Sequence, residues 1–354
     1  MSGAASTAAT EEAQPASPID PALRRFLGWA VLLISGGYTF LDYWNYSRTF
    51  YEGGGEWEAL LAGRSFAPAQ YRIGVVRTAD LLARLTHTHL RHMFAVIDFV
   101  SLEVGLMVLL WLLMRSETFR SANRIAQWLQ ASLALGCFLL YLLWSFWFQK
   151  PETQPTMLLL VLSAAAAAER RRRGLAAVLL IALAAIGATV RADAVIAFHL
   201  GFLVAYLLPH RESLPLGRKA QLLASGLSVV AAGYVQAAIM HIYPHAPRQI
   251  AAFQLFGNLK TWLNYPLLAA ALFPWWITLA LAVRRWRALD GWMVGLLLGS
   301  VAHFLFYYTF GIAWEVRIFL PFAMTVAPIT VMLAYCAIER DAQPGTPRLS
   351  NVSR

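Results

Sequence analysis

Apolar runs of membrane-spanning length recur along the chain, and arginine-rich stubs interrupt them on one side only. The stubs are Arg24-Arg25, Arg115/Arg120/Arg124, Arg170 to Arg173, Arg211/Arg218/Lys219 and Arg284/Arg285/Arg287. Each follows an even number of runs, counting zero for the first. Basic residues concentrate on the cytoplasmic side of membrane proteins, so the pattern orients the chain and counts its helices at once. It predicts an all-α, polytopic membrane protein of ten spans, at about 26–43, 94–114, 128–148, 156–168, 174–190, 194–208, 221–241, 266–283, 292–310 and 316–337. The fourth span is short and ends in the small-residue run Ser163 to Ala168, which suits close helix packing. The fifth and sixth are separated by Arg191-Ala192-Asp193 alone. That spacing predicts a tight hairpin at the outer surface.

The transmembrane domain extends over about 23–340, between a cytoplasmic tail at 1–22 and a second at 341–354. The first tail is rich in Ala, Ser, Thr, Pro and Glu and lacks a basic region before an apolar core, so it reads as a disordered segment and not as a signal peptide. Two outer segments are too long to be simple connectors. The first, 44–93, opens with Tyr51, Glu52, Gly53 to Gly55, Glu56 and Trp57. It then places Val75, Val76, Ala79, Leu82 and Leu85 at helical spacing among Arg77, Asp80, Arg84 and Arg91, which predicts an amphipathic helix along the membrane surface. The second, 242–265, carries Tyr243, His245, Arg248, Lys260 and Trp262. Trp44, Trp144, Trp147, Trp262, Trp275, Trp276, Trp292 and Trp314 fall near span ends and read as interfacial anchors.

Composition agrees with this picture. The chain is 59% hydrophobic with a mean hydropathy of +0.55, and no soluble stretch is long enough to build a domain. A net charge of +10 would suggest nucleic acid in a soluble protein. Here most of the basic residues lie in the predicted cytoplasmic segments, where topology and anionic lipid account for them. Cys137 and Cys336 sit inside apolar runs as small packing residues.

The remaining charges gather towards the outer side, and charge at membrane depth is costly enough to mark function. Asp42 leaves the first span beside Tyr43 and Trp44, either as a general base facing an outer cavity or as a solvated interfacial acid. Tyr71-Arg72, Arg191 with Asp193, and Glu315 with Arg317 come from separate segments on that same side. Three guanidinium forks there would suit a diphosphate or phosphodiester; alternatively each arginine pairs with its neighbouring acid. Asp98 and Glu103 lie inside the second span, Glu103 about 14 Å deep at the helical rise, as a proton relay or as an internal packing pair. His87, His89 and His92 are badly spaced for a metal, and no acidic or cysteine ligand completes a set. His303 reads as a hydrogen-bonded core residue. The sequence implies no cofactor.

With these residues placed, the layout resembles the GT-C-fold, polyprenyl-phosphate-sugar-dependent membrane glycosyltransferases, including uncharacterised bacterial members. The likeness lies in Asp42 through Leu85, in Arg191-Ala192-Asp193, and in Glu315-Val316-Arg317 followed by Leu320-Pro321. The acids of the first loop depart from the paired arrangement of many such enzymes, being dispersed as Asp42, Glu52, Glu56 and Glu58. The resemblance implies a multi-pass enzyme of the bacterial inner membrane that transfers a sugar from a lipid-phosphate donor to a lipid or glycan acceptor. Asp42 would act as base, Arg72, Arg191 and Arg317 would surround the phosphate with Tyr71 and Glu315, and Asp98, Glu103 and Asp193 would support them. The rival expectation is a secondary transporter or lipid flippase working through Asp98 and Glu103.

Overall fold

A computed structural model describes residues 19–46, 56–145, 151–209, 213–246, 253–313 and 315–341. The helices are α1 (Pro21–Tyr46), α2 (Glu56–Leu61), α3 (Ile73–Thr86), α4 (Leu90–Arg115), α5 (Glu117–Arg120), α6 (Arg124–Ser145) and α7 (Thr153–Ala167). There follow α8 (Arg173–Leu207), α9 (Arg218–Ile242), α10 (Leu255–Lys260), α11 (Asn264–Ala271), α12 (Phe273–Arg284), α13 (Gly291–Phe310) and α14 (Leu320–Asp341). Among the described residues there is no strand. Seven of these helices are long and apolar enough to cross a membrane, and an eighth span arises if α11 and α12, bent by 76°, are taken together. The count differs from the ten expected for two reasons. Helix α7 has only 15 residues, and the fifth and sixth expected spans form one 35-residue element, α8.

That element is not straight. Helical geometry breaks at Arg191 (φ −154°, ψ 86°). A side chain at Gly187 would meet Val195, although eight residues of straight helix span ~12 Å. Both ends of α8 reach the same short stretch: Arg173 lies against Gly217, and Tyr206 Oη accepts from Arg218 Nε at 3.3 Å. Helix α8 therefore doubles back at the position where the sequence predicts a hairpin.

Packing explains the order of the bundle. Helix α14 is buried on nearly every side from Leu320 to Leu333, as expected of a helix apolar all round, and it contacts α4, α6, α7, α12 and α13. Gly295 and Gly299, a small-xxx-small pair on α13, receive Gly201 of α8 at backbone distance.

The arginine stubs share one face of the bundle. Arg124 pairs with Asp20 at 2.7 Å and Arg115 with Glu169 at 3.7 Å, and the Gly291 N–H donates to Ser213 Oγ at 2.6 Å. Two expected tryptophan anchors belong to the interior instead. Trp275 donates to Ser300 Oγ and Trp292 to the Ala164 carbonyl, both at 2.9 Å, so their indole N–H groups need no water. Trp44 and Trp262 are exposed; Trp147 and Trp314 lie outside the described residues.

At the opposite face α2 and α3 form a small cap with its own core of Trp57, Leu60, Val75, Val76, Ala79, Phe94 and Val190. The buried stripe of α3 is Val75, Val76, Ala79 and Ala83, not the expected set reaching Leu85. Leu81 and Leu85 point outwards, because the cap packs on α4 and the α8 hairpin with its other face. His87 ends α3 in left-handed conformation (φ 52°), as its C-terminal cap.

Candidate functional site

The cap sets the position of the first site residue. Buried Gln70 donates to the Leu60 carbonyl at 3.1 Å and accepts from Ser65 N–H at 2.8 Å, which fixes the turn carrying Tyr71 and Arg72. Gly74, one residue into α3, allows close approach to Thr189 beside the hairpin. Arg72 thereby reaches across the bundle, bonding Glu152 Oε1 and Tyr307 Oη, each at 3.0 Å. Tyr307 in turn bonds Asp193.

Arg191 fills the break of the hairpin. It donates to Asp193 Oδ2 at 3.2 Å and to the Ile318 carbonyl at 3.4 Å, and its guanidinium lies 4.8 Å from the Tyr307 ring centre. His303 Nε2 stands 3.0 Å from the same Ile318 oxygen. A carbonyl can only accept, so the ring carries its hydrogen on Nε2. Arg317 pairs with Glu315 at 2.7 Å. The turn that leads to this pair is clamped from outside by Asn258. Its amide donates to the Tyr308 and Gly311 carbonyls at 2.7 and 2.8 Å, and its oxygen accepts from Ala313 N–H at 3.0 Å.

These elements enclose a cavity of about 700 Å³. Tyr71, Arg72, Asp193, Tyr307, Glu315 and Arg317 give it a polar wall. Ile196, Ala197, Leu200, Phe306, Phe310 and Ile312 give it an apolar one. Leu200, Phe306 and Phe310 are 41–45% exposed, so the apolar wall continues to the surface of the bundle.

Several expectations change here. Arg191 does not line the cavity; it is 2% exposed and supports Asp193 and Tyr307 from behind. Each of the three expected arginines is paired with a carboxylate, and the local pairs Arg191–Asp193 and Arg317–Glu315 are both present. Asp42 does not line the cavity either. It shares a separate small cleft with Asp98, its hydrogen-bond neighbour. Glu103 joins neither group, and its buried Oε2 makes no hydrogen bond, because it stands more than a helical turn inward of Asp98 on α4. Glu58 is exposed; Glu52, Arg248 and the side chain of Glu56 lie outside the described residues.

Two residues escaped sequence reasoning. Glu152 gave one weak signal, an acid at the mouth of a helix on the outer side. Tyr307 gave none, since a tyrosine within an apolar run is ordinary. Together they connect Arg72 of the cap turn with Arg191 of the hairpin, Glu152 by its pair with Arg72 and Tyr307 by its contacts with both guanidinium groups.

Compared with protein-family models, curated proteins and solved structures, the chain matches none.

Proposed function

We propose that this chain is an integral-membrane transferase that binds a lipid-linked phosphate in its outer cavity. In keeping with its resemblance to GT-C-fold enzymes, it would move a sugar from a polyprenyl-phosphate donor to an acceptor at the periplasmic face of the bacterial inner membrane. The observation that carries this reading is the meeting, in one cavity of about 700 Å³, of Arg72 and Arg317 with an apolar wall that reaches the bundle surface. Such a site suits an amphiphile with its phosphate on the arginine forks and its chain passing Leu200, Phe306 and Phe310 towards lipid. In this proposal α7, each half of α8 and the bent α11–α12 pair all cross, giving ten passes with both termini cytoplasmic.

Negative charge builds on the departing phosphate in the transition state, where arginines in a water-poor cavity stabilise it most. The acceptor hydroxyl must lose a proton to a carboxylate as it attacks the anomeric carbon. Glu315 takes that role in place of Asp42. Both acids line the cavity and each is paired with an arginine, but Glu315, bound among the described residues to Arg317 alone, keeps 24% of its side chain exposed against 17% for Asp193, which Tyr307 holds as well as Arg191.

The test is sugar transfer and polyprenyl-phosphate binding by the detergent-solubilised protein. Arg72→Ala and Arg317→Ala should each weaken binding roughly tenfold, the scale of one lost charge-assisted hydrogen bond, with Arg317→Lys recovering part. Glu315→Gln should bind normally and lose roughly 100- to 10,000-fold in transfer rate. If both arginine variants bind as tightly as the parent, the cavity does not hold the phosphate. If Glu315→Gln stays active while Asp42→Asn fails, the base is Asp42.

A further inference from the structure

A second constellation lies beyond Glu152, between α1 and α4. Its inner part is a cleft of about 20 Å³ bordered by Asp42, Tyr43, Arg91, Phe94, Asp98 and Pro151, room for a single water-sized group. Tyr43 and Ala95 also border a groove of about 340 Å³ whose walls are Gly36, Thr39, Phe40, Val96 and Phe99. Phe40 and Val96 are 66% and 47% exposed, so the groove lies on the lipid-facing side of the bundle. At its outer end the Arg91 guanidinium sits 4.0 Å from the Tyr43 ring centre, and Tyr43 Oη is 3.1 Å from His92 Nδ1.

The chemistry of the cleft is incomplete. Among the described residues Arg91 makes no ion pair, and its buried Nε has no hydrogen-bond partner. Asp42 and Asp98 are only 6% and 4% exposed and hydrogen-bond to one another, and each has a buried Oδ1 that receives no donor from any other described residue. A buried acceptor without a donor is costly. A ligand that complements the described residues would bring an anion for Arg91, one small hydrogen-bond donor for the acids and an apolar chain for the groove.

We propose that this is a binding site for an anionic glycerophospholipid with a hydroxylated head group, phosphatidylglycerol in chemistry. One chain lies along the α1–α4 groove, the phosphate rests on Arg91, and a head-group hydroxyl enters the cleft and donates to Asp42 or Asp98. A phosphate without such a donor would meet two carboxyl groups with nothing to offer them. A trimethylammonium head is too large for the cleft and carries no donor. The site uses none of the cavity arginines, so it stands or falls independently of the transferase reading.

Native mass spectrometry of the detergent-solubilised protein with phosphatidylglycerol, phosphatidic acid or phosphatidylcholine of equal chain length tests this. Phosphatidylglycerol should occupy one site in preference to both others. Arg91→Gln, which removes the charge, and Gly36→Trp, which fills the groove, should each lower that occupancy roughly fivefold, about one hydrogen bond's worth. Gly36 suits this test because a Cβ there touches only Phe99, at 4.0 Å. Val100→Trp, on an exposed part of α4 outside the groove, controls for added bulk and should leave occupancy unchanged, as should Arg317→Ala. Unchanged occupancy in Arg91→Gln and Gly36→Trp overturns the site. Equal binding of phosphatidic acid overturns the hydroxyl contact.

Discussion

At the scale of single residues, the proposed binding of a phosphate in the main cavity would be an exchange of partners. Arg72, Arg191 and Arg317 already have Glu152, Asp193 and Glu315, and a buried ion pair is weak evidence for stability because desolvation offsets most of its attraction. A phosphate competes only where an arginine keeps donors facing the cavity, which favours Arg72 and Arg317 over enclosed Arg191. Glycines act more simply. A Cβ on Gly201 would stand 2.2 Å from the Gly299 nitrogen and 2.3 Å from the Gly295 oxygen, and backbone cannot move aside as a side chain can. Gly201→Ala should therefore destabilise the protein by about 1–3 kcal/mol or more, read as a lower unfolding midpoint in detergent. Gly226→Ala, where nothing stands within 4 Å, should match or exceed the parent because alanine favours helix. Equal midpoints for the two variants would contradict this packing.

Among the elements, the reversal of α8 decides most. It brings Arg191 and Asp193 to the cap end of the bundle and lets both halves meet neighbours, with Ala184, Ala188, Ala192 and Val195 packed against Ala232 of α9. Three residues between two apolar runs cannot bridge spans that lie apart, so the hairpin was legible from spacing alone. Its packing partners were not. The expected geometry can be checked covalently: Gly187 and Val195 have Cβ positions 3.7 Å apart, within disulfide range. With Cys137 and Cys336 replaced by Ser, the pair Gly187→Cys and Val195→Cys should cross-link under mild oxidation. A continuous helix would hold them ~12 Å apart and leave both thiols free.

For the molecule as a whole, the arginine stubs on one face and the cavity on the other define a polarity, which the positive-inside bias turns into an orientation. Thr86, exposed beside the cap, and Arg172, exposed on the stub face, should report opposite sides. A cysteine at position 86 should react with a membrane-impermeant thiol reagent in spheroplasts, and one at 172 only after permeabilisation. Labelling of position 172 from outside would invert the orientation and overturn the proposed periplasmic placement of the cavity.

What the sequence determined alone follows from local rules: helices in place of strands, because lipid leaves backbone groups only one another for partners; one polar face, from the arginine stubs; and the hairpin at Arg191, from spacing. It also listed the charged residues of the outer face. Which of them meet was decided by tertiary structure. Arg72 joins Tyr307, 235 residues away, and Glu152, 80 residues away, through a cap whose register depends on Gln70 and Gly74. Asp42 is directed to Asp98 and away from the arginines by the packing of α1 on α4. A helix period tells which side of a helix is apolar, but not which neighbour that side will face, and partnership among buried charges is set by the neighbour.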